Sequence, residues 1–291
     1  MNLFPLLNLT YSVLDNVETI PSDIDFLFRA HQHDGTGTGA PTFSPDQSIP
    51  FNFEYRCHSS IEKFAYHLNC HLGKTQRGKA KGVKIMTSFV SMSPILEWTI
   101  HTTGQKRNGR NQTVDENTGL AIFHADKLRK TSDTTIFRVS SVLDFLASQG
   151  KGDLIEQELQ VWARNCDEYV AMGRIPDDCL VRWVQSKEIV TLPILGFPND
   201  FTTAYTLGVY RMRRSSKRIE LDLLCQNVID SAKVLVGAQH DLLSLIVNLL
   251  LRPGVQFWGF NVSSIEEDIV TAKIQALVEE MALPRLSTLE I

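Results

Sequence analysis

The stretch that most constrains this chain is Cys166-Asp167-Glu168-Tyr169-Val170-Ala171-Met172, closed by Gly173-Arg174-Ile175-Pro176. An acid stands at the head of a short apolar run, and turn residues end it. Such a pattern reads as a buried strand with one carboxylate at its mouth. Whatever else the chain does, it has to pack this strand and accommodate Glu168 beside it.

Two upstream stretches read as strands of related character. Asp25-Phe26-Leu27-Phe28-Arg29-Ala30-His31 is apolar and ends in basic residues. The segment from His33 to Pro41 follows with alternating glycines. It matches neither phosphate-loop pattern and reads as a lid or a plain connection. Met86-Thr87-Ser88-Phe89-Val90-Ser91 is strand-like, and Ser93-Pro94 then makes a good N-cap and first-turn pair for a helix through about Thr102.

Other elements follow from periodicity. Ser59-Ser60-Ile61-Glu62 has capping-box spacing, and Ile61, Phe64, Ala65, Leu68 and Leu72 recur at helical intervals. Gly73 to Lys84 reads as a basic loop, and Gly104 to Asn117 as an exposed polar one. Gly119–Phe123, Thr134–Val139 and Cys179–Val184 read as strands; Ser141–Ser148 and Leu154–Arg164 read as helices. Amphipathic segments at 219–235, 241–251 and 264–282 read as C-terminal helices.

Taken in order, Leu27-Phe28-Arg29-Ala30, the strand through Ser91 and Ser93, and Cys166-Asp167-Glu168 resemble the signature elements of the ADP-ribosyltransferase superfamily. The likeness is to its R-S-E type, which includes the cholera-type and heat-labile enterotoxin A catalytic domains. It spans residues 24 to 192. The resemblance implies an α+β fold, an ADP-ribosyltransferase-like split-sheet core with a helical C-terminal extension. The implied layout is an N-terminal extension over 1–23, the core domain over 24–195 and a helical region over 196–291.

The resemblance also implies that Glu168, Ser91 and Arg29 are catalytic and that NAD is the substrate. Arg29 would bind the dinucleotide's phosphate or ribose, and Ser91 would hydrogen-bond Glu168. Arg29, Ala30, His31, Ser91, Ser93 and Cys166 would line the substrate pocket. The chemistry suits these residue types. Cleavage of the nicotinamide–ribose bond passes through an oxocarbenium-like state that one positioned, desolvated carboxylate stabilises. A planar guanidinium matches a diphosphate.

Two positions depart from the family pattern. Met92 replaces the middle threonine of the Ser-Thr-Ser strand. Cys166 replaces the earlier acid, which in the arginine-modifying toxins engages the acceptor guanidinium. Asp167, on a strand, would point to the face opposite Glu168. Arginine is therefore not the expected acceptor, which leaves a different acceptor, simple NAD hydrolysis or a reused cleft.

Charge shapes the alternative. With 29 basic and 33 acidic residues the net charge is −4, so no global polycation announces a nucleic acid. Two local clusters stand out: Lys74, Arg77, Lys79 and Lys81 in the first, and Arg213 and Arg214 within Tyr210–Arg218 in the second. Either they are solvated faces, or they contact a phosphate backbone. The second option makes the chain an aminoacyl-tRNA-dependent transferase using the same cleft, such as an arginine-containing cyclodipeptide synthase, with tRNA as partner. A non-catalytic binding module retaining the fold is a third option.

Five cysteines, an odd number without CxxC spacing, read as free thiols. Cys57-His58 and Cys70-His71 are adjacent pairs and lack the spacing of a structural zinc site, so no metal is expected. The N-terminus lacks a basic signal region, and the apolar run Asp241–Leu251 is too short to span a bilayer. A soluble, cytoplasmic protein without a membrane partner is expected.

Overall fold

The computed structural model describes residues 17, 19–32, 60–77, 89–108, 118–131, 134–172, 174–195, 219–251 and 264–282. The protein is a mixed α+β chain. Its strands are β1 (Phe26–Gln32), β2 (Phe89–Met92), β3 (Thr118–His124), β4 (Thr135–Arg138), β5 (Tyr169–Met172) and β6 (Leu180–Gln185). Its helices are α1 (Ser60–Arg77), α2 (Leu96–Asn108), α3 (Ala125–Lys130), α4 (Val139–Ser148), α5 (Gln157–Asn165), α6 (Ser186–Ile189), α7 (Leu221–Val236), α8 (Leu243–Leu251) and α9 (Ser264–Ala282). One sheet has the order β2-β5-β4 and the other β1-β3-β6.

The chain divides into two compact units that interleave along the sequence. The first comprises Met1–Arg29, Thr38–Ile95 and Ile122–Leu180; the second comprises Ala30–Gly37, Leu96–Ala121 and Val181–Ile291.

In the first unit, β5 is the central strand, paired antiparallel with β2 and β4 on either side. Ser91 and Phe137 both oppose Val170, while Met92 and Arg138 both oppose Tyr169. Side chains alternate across a sheet, so Phe89, Ser91, Phe137, Val170 and Met172 share one face. That face carries the core. Phe64, Leu68 and Leu72 of α1, Val142 and Leu146 of α4, and Leu159 and Ala163 of α5 pack on Phe89, Phe137, Val170 and Met172. The Phe64 ring meets Phe89 and Phe137 edge-on, at centroid distances of 5.7 and 5.8 Å. Burying each such ring contributes about 1.5–3 kcal/mol, with roughly 0.5–1.5 kcal/mol more from the ring geometry.

Polar contacts fix the helices around this core. Lys151 Nζ lies 2.8 Å from Glu62 Oε1 on α1. The Glu156 N–H, at the start of α5, donates to Asn69 Oδ1 at 2.9 Å. The helical period of α1 is therefore what carries α4 and α5 onto the sheet.

In the second unit, α7 packs against α8 and α9. Ser231 Oγ, fully buried in α7, accepts from the Ile194 N–H at 3.0 Å. Lys273 of α9 pairs with Asp222 of α7 at 2.5 Å. In β3, Gly119 is required by close approach: a β-carbon there would fall 2.6 Å from the Trp183 ring and nearer still to the Val184 carbonyl.

Two helices run further than the sequence reading allows. α1 continues through Gly73 to Arg77, into the expected basic loop. A mid-helix glycine costs about 1 kcal/mol, but Leu68 and Leu72 of α1 share the core with Leu159 of α5, and this tertiary packing outweighs the penalty. α2 starts at Leu96 and runs past Gly104 to Asn108, into the expected polar loop. Thr99 and Thr103 are buried on it, and the Thr102 and Thr103 hydroxyls donate to the carbonyls of Trp98 and Thr99, at 2.9 and 2.8 Å. Hydroxyls that bond back within the helix are satisfied without leaving it. α3 has no counterpart in the sequence reading.

No described helix is long and apolar enough to cross a membrane. Among the described residues, no group of three or more His, Cys, Asp or Glu side chains is arranged to hold a metal ion.

Candidate functional site

The turn between α5 and β5 delivers Glu168. α5 ends at Asn165, with Cys166 as C-cap. Asp167 then takes a left-handed backbone with φ of 44°. The Asp167 N–H donates to the Arg164 carbonyl at 3.2 Å, and the Glu168 N–H to the Ala163 carbonyl at 2.9 Å. These two bonds form a Schellman motif, with Asp167 where glycine is usual. The Glu168 carbonyl in turn accepts from the Val139 N–H at 2.8 Å. Backbone bonds thus hold Glu168 from both sides before β5 begins. Asp167 is not on the strand, contrary to the sequence reading. Its carboxylate pairs with Arg138 Nε at 2.9 Å.

Arg29 arrives from β1. Phe28 and Ser93 exchange backbone hydrogen bonds of 2.8 and 2.9 Å, which lay the end of β2 against β1. Arg29 Nη1 then donates to the Ser91 carbonyl at 2.8 Å. Its Nε is inaccessible to solvent and has no hydrogen-bond partner among the described residues, although the residue as a whole is partly open. Burial lowers the Arg29 pKa to about 10, against the opposing attraction of Glu168, so the guanidinium stays charged at neutral pH.

Ser91 shares the core face of the sheet, and its hydroxyl meets α1. The expected bond from Ser91 to Glu168 is not the one formed. Ser91 Oγ lies 2.7 Å from His71 Nε2, and that same nitrogen is 3.9 Å from Glu168 Oε1. Burial and the Arg29 charge lower the His71 pKa to about 3, so the ring is neutral and its approach to Glu168 is not an ion pair. The Phe89 ring meets the imidazole edge-on at a centroid distance of 5.5 Å.

Ser93 and Cys166 tie the parts together. The Ser93 hydroxyl accepts from the Ile95 N–H at 3.0 Å, as an N-cap does, and donates to the Cys166 carbonyl at 2.6 Å. It clamps the end of β2 to the turn that carries Glu168. The Cys166 thiol is buried, with Sγ 3.6 Å from Glu168 Oε2. Burial and the neighbouring Glu168 push its pKa far up, so it is a thiol and not a thiolate.

Arg29, Ser91, Ser93, Cys166 and Glu168 therefore meet within the first unit, with His71 among them. Ala30 and His31 continue β1 into the second unit, where the His31 ring meets Trp183 edge-on at 6.0 Å. Of the basic clusters, Lys79, Lys81, Arg213 and Arg214 lie outside the described residues, as do the side chains of Lys74 and Arg77.

The sequence reading passed over His71 as half of an ill-spaced Cys-His pair. The signal was present: residue 71 falls three after Leu68 and seven after Phe64, a polar side chain on an otherwise apolar helical face. No protein-family model, curated protein or solved structure matches the chain.

Proposed function

We propose that the first unit is an ADP-ribosyltransferase-like catalytic core that cleaves the nicotinamide–ribose bond of NAD and passes ADP-ribose to water or to a neutral acceptor. The observation that supports this reading is the meeting of Arg29, Ser91 and Glu168, residues distant in sequence, around one buried imidazole. In the proposed reaction the Glu168 carboxylate faces the positive charge that develops on the ribose as nicotinamide leaves. A carboxylate only 3% exposed acts there with little screening. Arg29 keeps donors beyond its Ser91 bond and suits the diphosphate.

The acceptor follows from what surrounds Glu168. Cys166 is a neutral thiol, and Asp167 is engaged by Arg138. Arg29 is already a cation beside Glu168. Among the described residues, the carboxylates placed here are Glu168 and the Arg138-bound Asp167, which leaves a further cation such as an arginine acceptor without one of its own, so water or an uncharged nucleophile fits better.

The test is release of nicotinamide from NAD by the full-length protein, followed chromatographically. The wild type should release it. Glu168→Gln is near-isosteric and should lower turnover by about 10²–10³ with a far smaller change in KM. Absence of wild-type release, or a Glu168→Gln variant as fast as wild type, would overturn the reading.

A further inference from the structure

We propose that His71 is a positioning residue of this site: fixed as the Nε2–H tautomer, it donates to Ser91 Oγ and leaves the serine's own proton for a hydrogen-bond acceptor on the ligand. The part that concerns the ligand rests on the reading of the site given above; the part that concerns the imidazole does not.

The geometry carries it. Ser91 Oγ and Glu168 Oε1 approach the same ring nitrogen, at 2.7 and 3.9 Å. Glu168 is therefore not on the nitrogen opposite the serine, where the relay that makes a serine nucleophilic would put its carboxylate. A carboxylate oxygen facing Nε2 repels a bare lone pair and attracts an N–H. Arg29 from β1 and Glu168 from the turn before β5 are charged groups beside the ring, and the Arg29 cation opposes a second positive charge on it. What remains is a neutral ring with its proton on Nε2. Its edge contact with Phe89 and its burial in α1 limit rotation.

The consequence falls on Ser91. Its hydroxyl oxygen receives the imidazole N–H, and its proton has no second acceptor among the described residues. The serine therefore acts as a donor of fixed direction beside Glu168. In the NAD reading, the group it meets is a ribose hydroxyl oxygen.

Two measurements test this on the full-length protein. Long-range proton–nitrogen correlation spectra of uniformly labelled protein report the ring state of His71, identified by its loss in His71→Gln and its shift in Ser91→Ala. The expected pattern is a neutral Nε2–H imidazole at pH 7, unchanged down to about pH 5. An Nδ1–H pattern, or titration near the ordinary histidine value, overturns the proposal whether or not NAD is a substrate. The second measurement is nicotinamide release. His71→Ala should fall to the level of Ser91→Ala, and the double variant should fall no further. His71→Gln places an amide N–H near the former Nε2 and should recover most of the loss in kcat. Additive losses, or a glutamine variant no better than alanine, overturn the positioning role. A wild type that leaves NAD intact refutes the substrate reading, and the spectra then decide the imidazole's role alone.

Discussion

Arg138 Nε holds the Asp167 carboxylate at 2.9 Å, and the pair braces the left-handed turn on which Glu168 depends. Arg138 opposes Tyr169 across β4 and β5, so the sheet register places the guanidinium beside the turn. The backbone at Asp167 and the ion pair contribute separately to stability, and substitutions can tell them apart.

Asparagine tolerates a left-handed backbone, so Asp167→Asn loses only the ion pair. Both partners are partly exposed, and such pairs contribute about 0–1 kcal/mol. Valine loses the pair and also strains the backbone, adding roughly 1–2 kcal/mol. Urea unfolding should therefore rank wild type, Asp167→Asn and Asp167→Val in descending stability. Equal losses in both variants would mean that the turn relaxes and its backbone is not what fixes Glu168.

Cys166 should be chemically silent in the folded protein. Thiolates react and thiols do not, and burial beside Glu168 keeps this one protonated. Cys70, half-buried on α1, is more accessible although burial raises its pKa too. Iodoacetamide labelling mapped by mass spectrometry should modify Cys70 under native conditions and Cys166 only at the rate of unfolding. Rapid native labelling of Cys166 would refute its placement against Glu168.

The strand after Glu168 was legible because an acid followed by four apolar residues and a turn admits few other readings. Arg29 and Ser91 were singled out by the resemblance of their strands to the R-S-E elements, and the fold brings both beside His71 and Glu168. What stayed hidden was decided by tertiary contact. A histidine on an apolar helical face has the same local pattern whether it merely fills a core or bonds a serine, so the pattern marks His71 without saying which it does. The Schellman turn was masked because Asp167 stands where glycine usually signals it. Gly73 and Gly104 looked like helix ends, yet packing on α5 in one case and burial in the second unit in the other carry the helices through.

The buried imidazole makes stability depend on pH. His71 has a folded pKa of about 3 against an ordinary value of 6.5. Between these values the unfolded chain binds a proton that the folded protein does not. Stability from this group is complete above pH 6.5 and is lost as pH falls toward 3, with a slope of up to about 1.4 kcal/mol per pH unit. His71→Gln cannot titrate. Urea midpoints at pH 7, 5.5 and 4.5 should fall more steeply for wild type than for His71→Gln. Parallel slopes would show that the ring is not held neutral by the fold.

Arg29→Lys separates charge from shape. Lysine keeps a cation near Glu168, so the local charge balance survives and the unit should still fold. It does not keep the planar fork. The guanidinium donates to the Ser91 carbonyl through Nη1 while its other nitrogens keep their own directions. An ammonium held at that carbonyl has no second, fixed donor to present to a diphosphate. On the proposed NAD reading, the loss belongs to binding in the ground state as much as in the transition state, because the diphosphate does not change charge during cleavage. Substitution should therefore raise KM for NAD while leaving kcat within a few-fold, the signature of uniform binding. Glu168→Gln should show the reverse split. Steady-state kinetics on both variants, with circular dichroism to confirm folding, reads the contrast directly. If Arg29→Lys lowers kcat as Glu168→Gln does and leaves KM alone, Arg29 acts on the reacting ribose and not on the diphosphate.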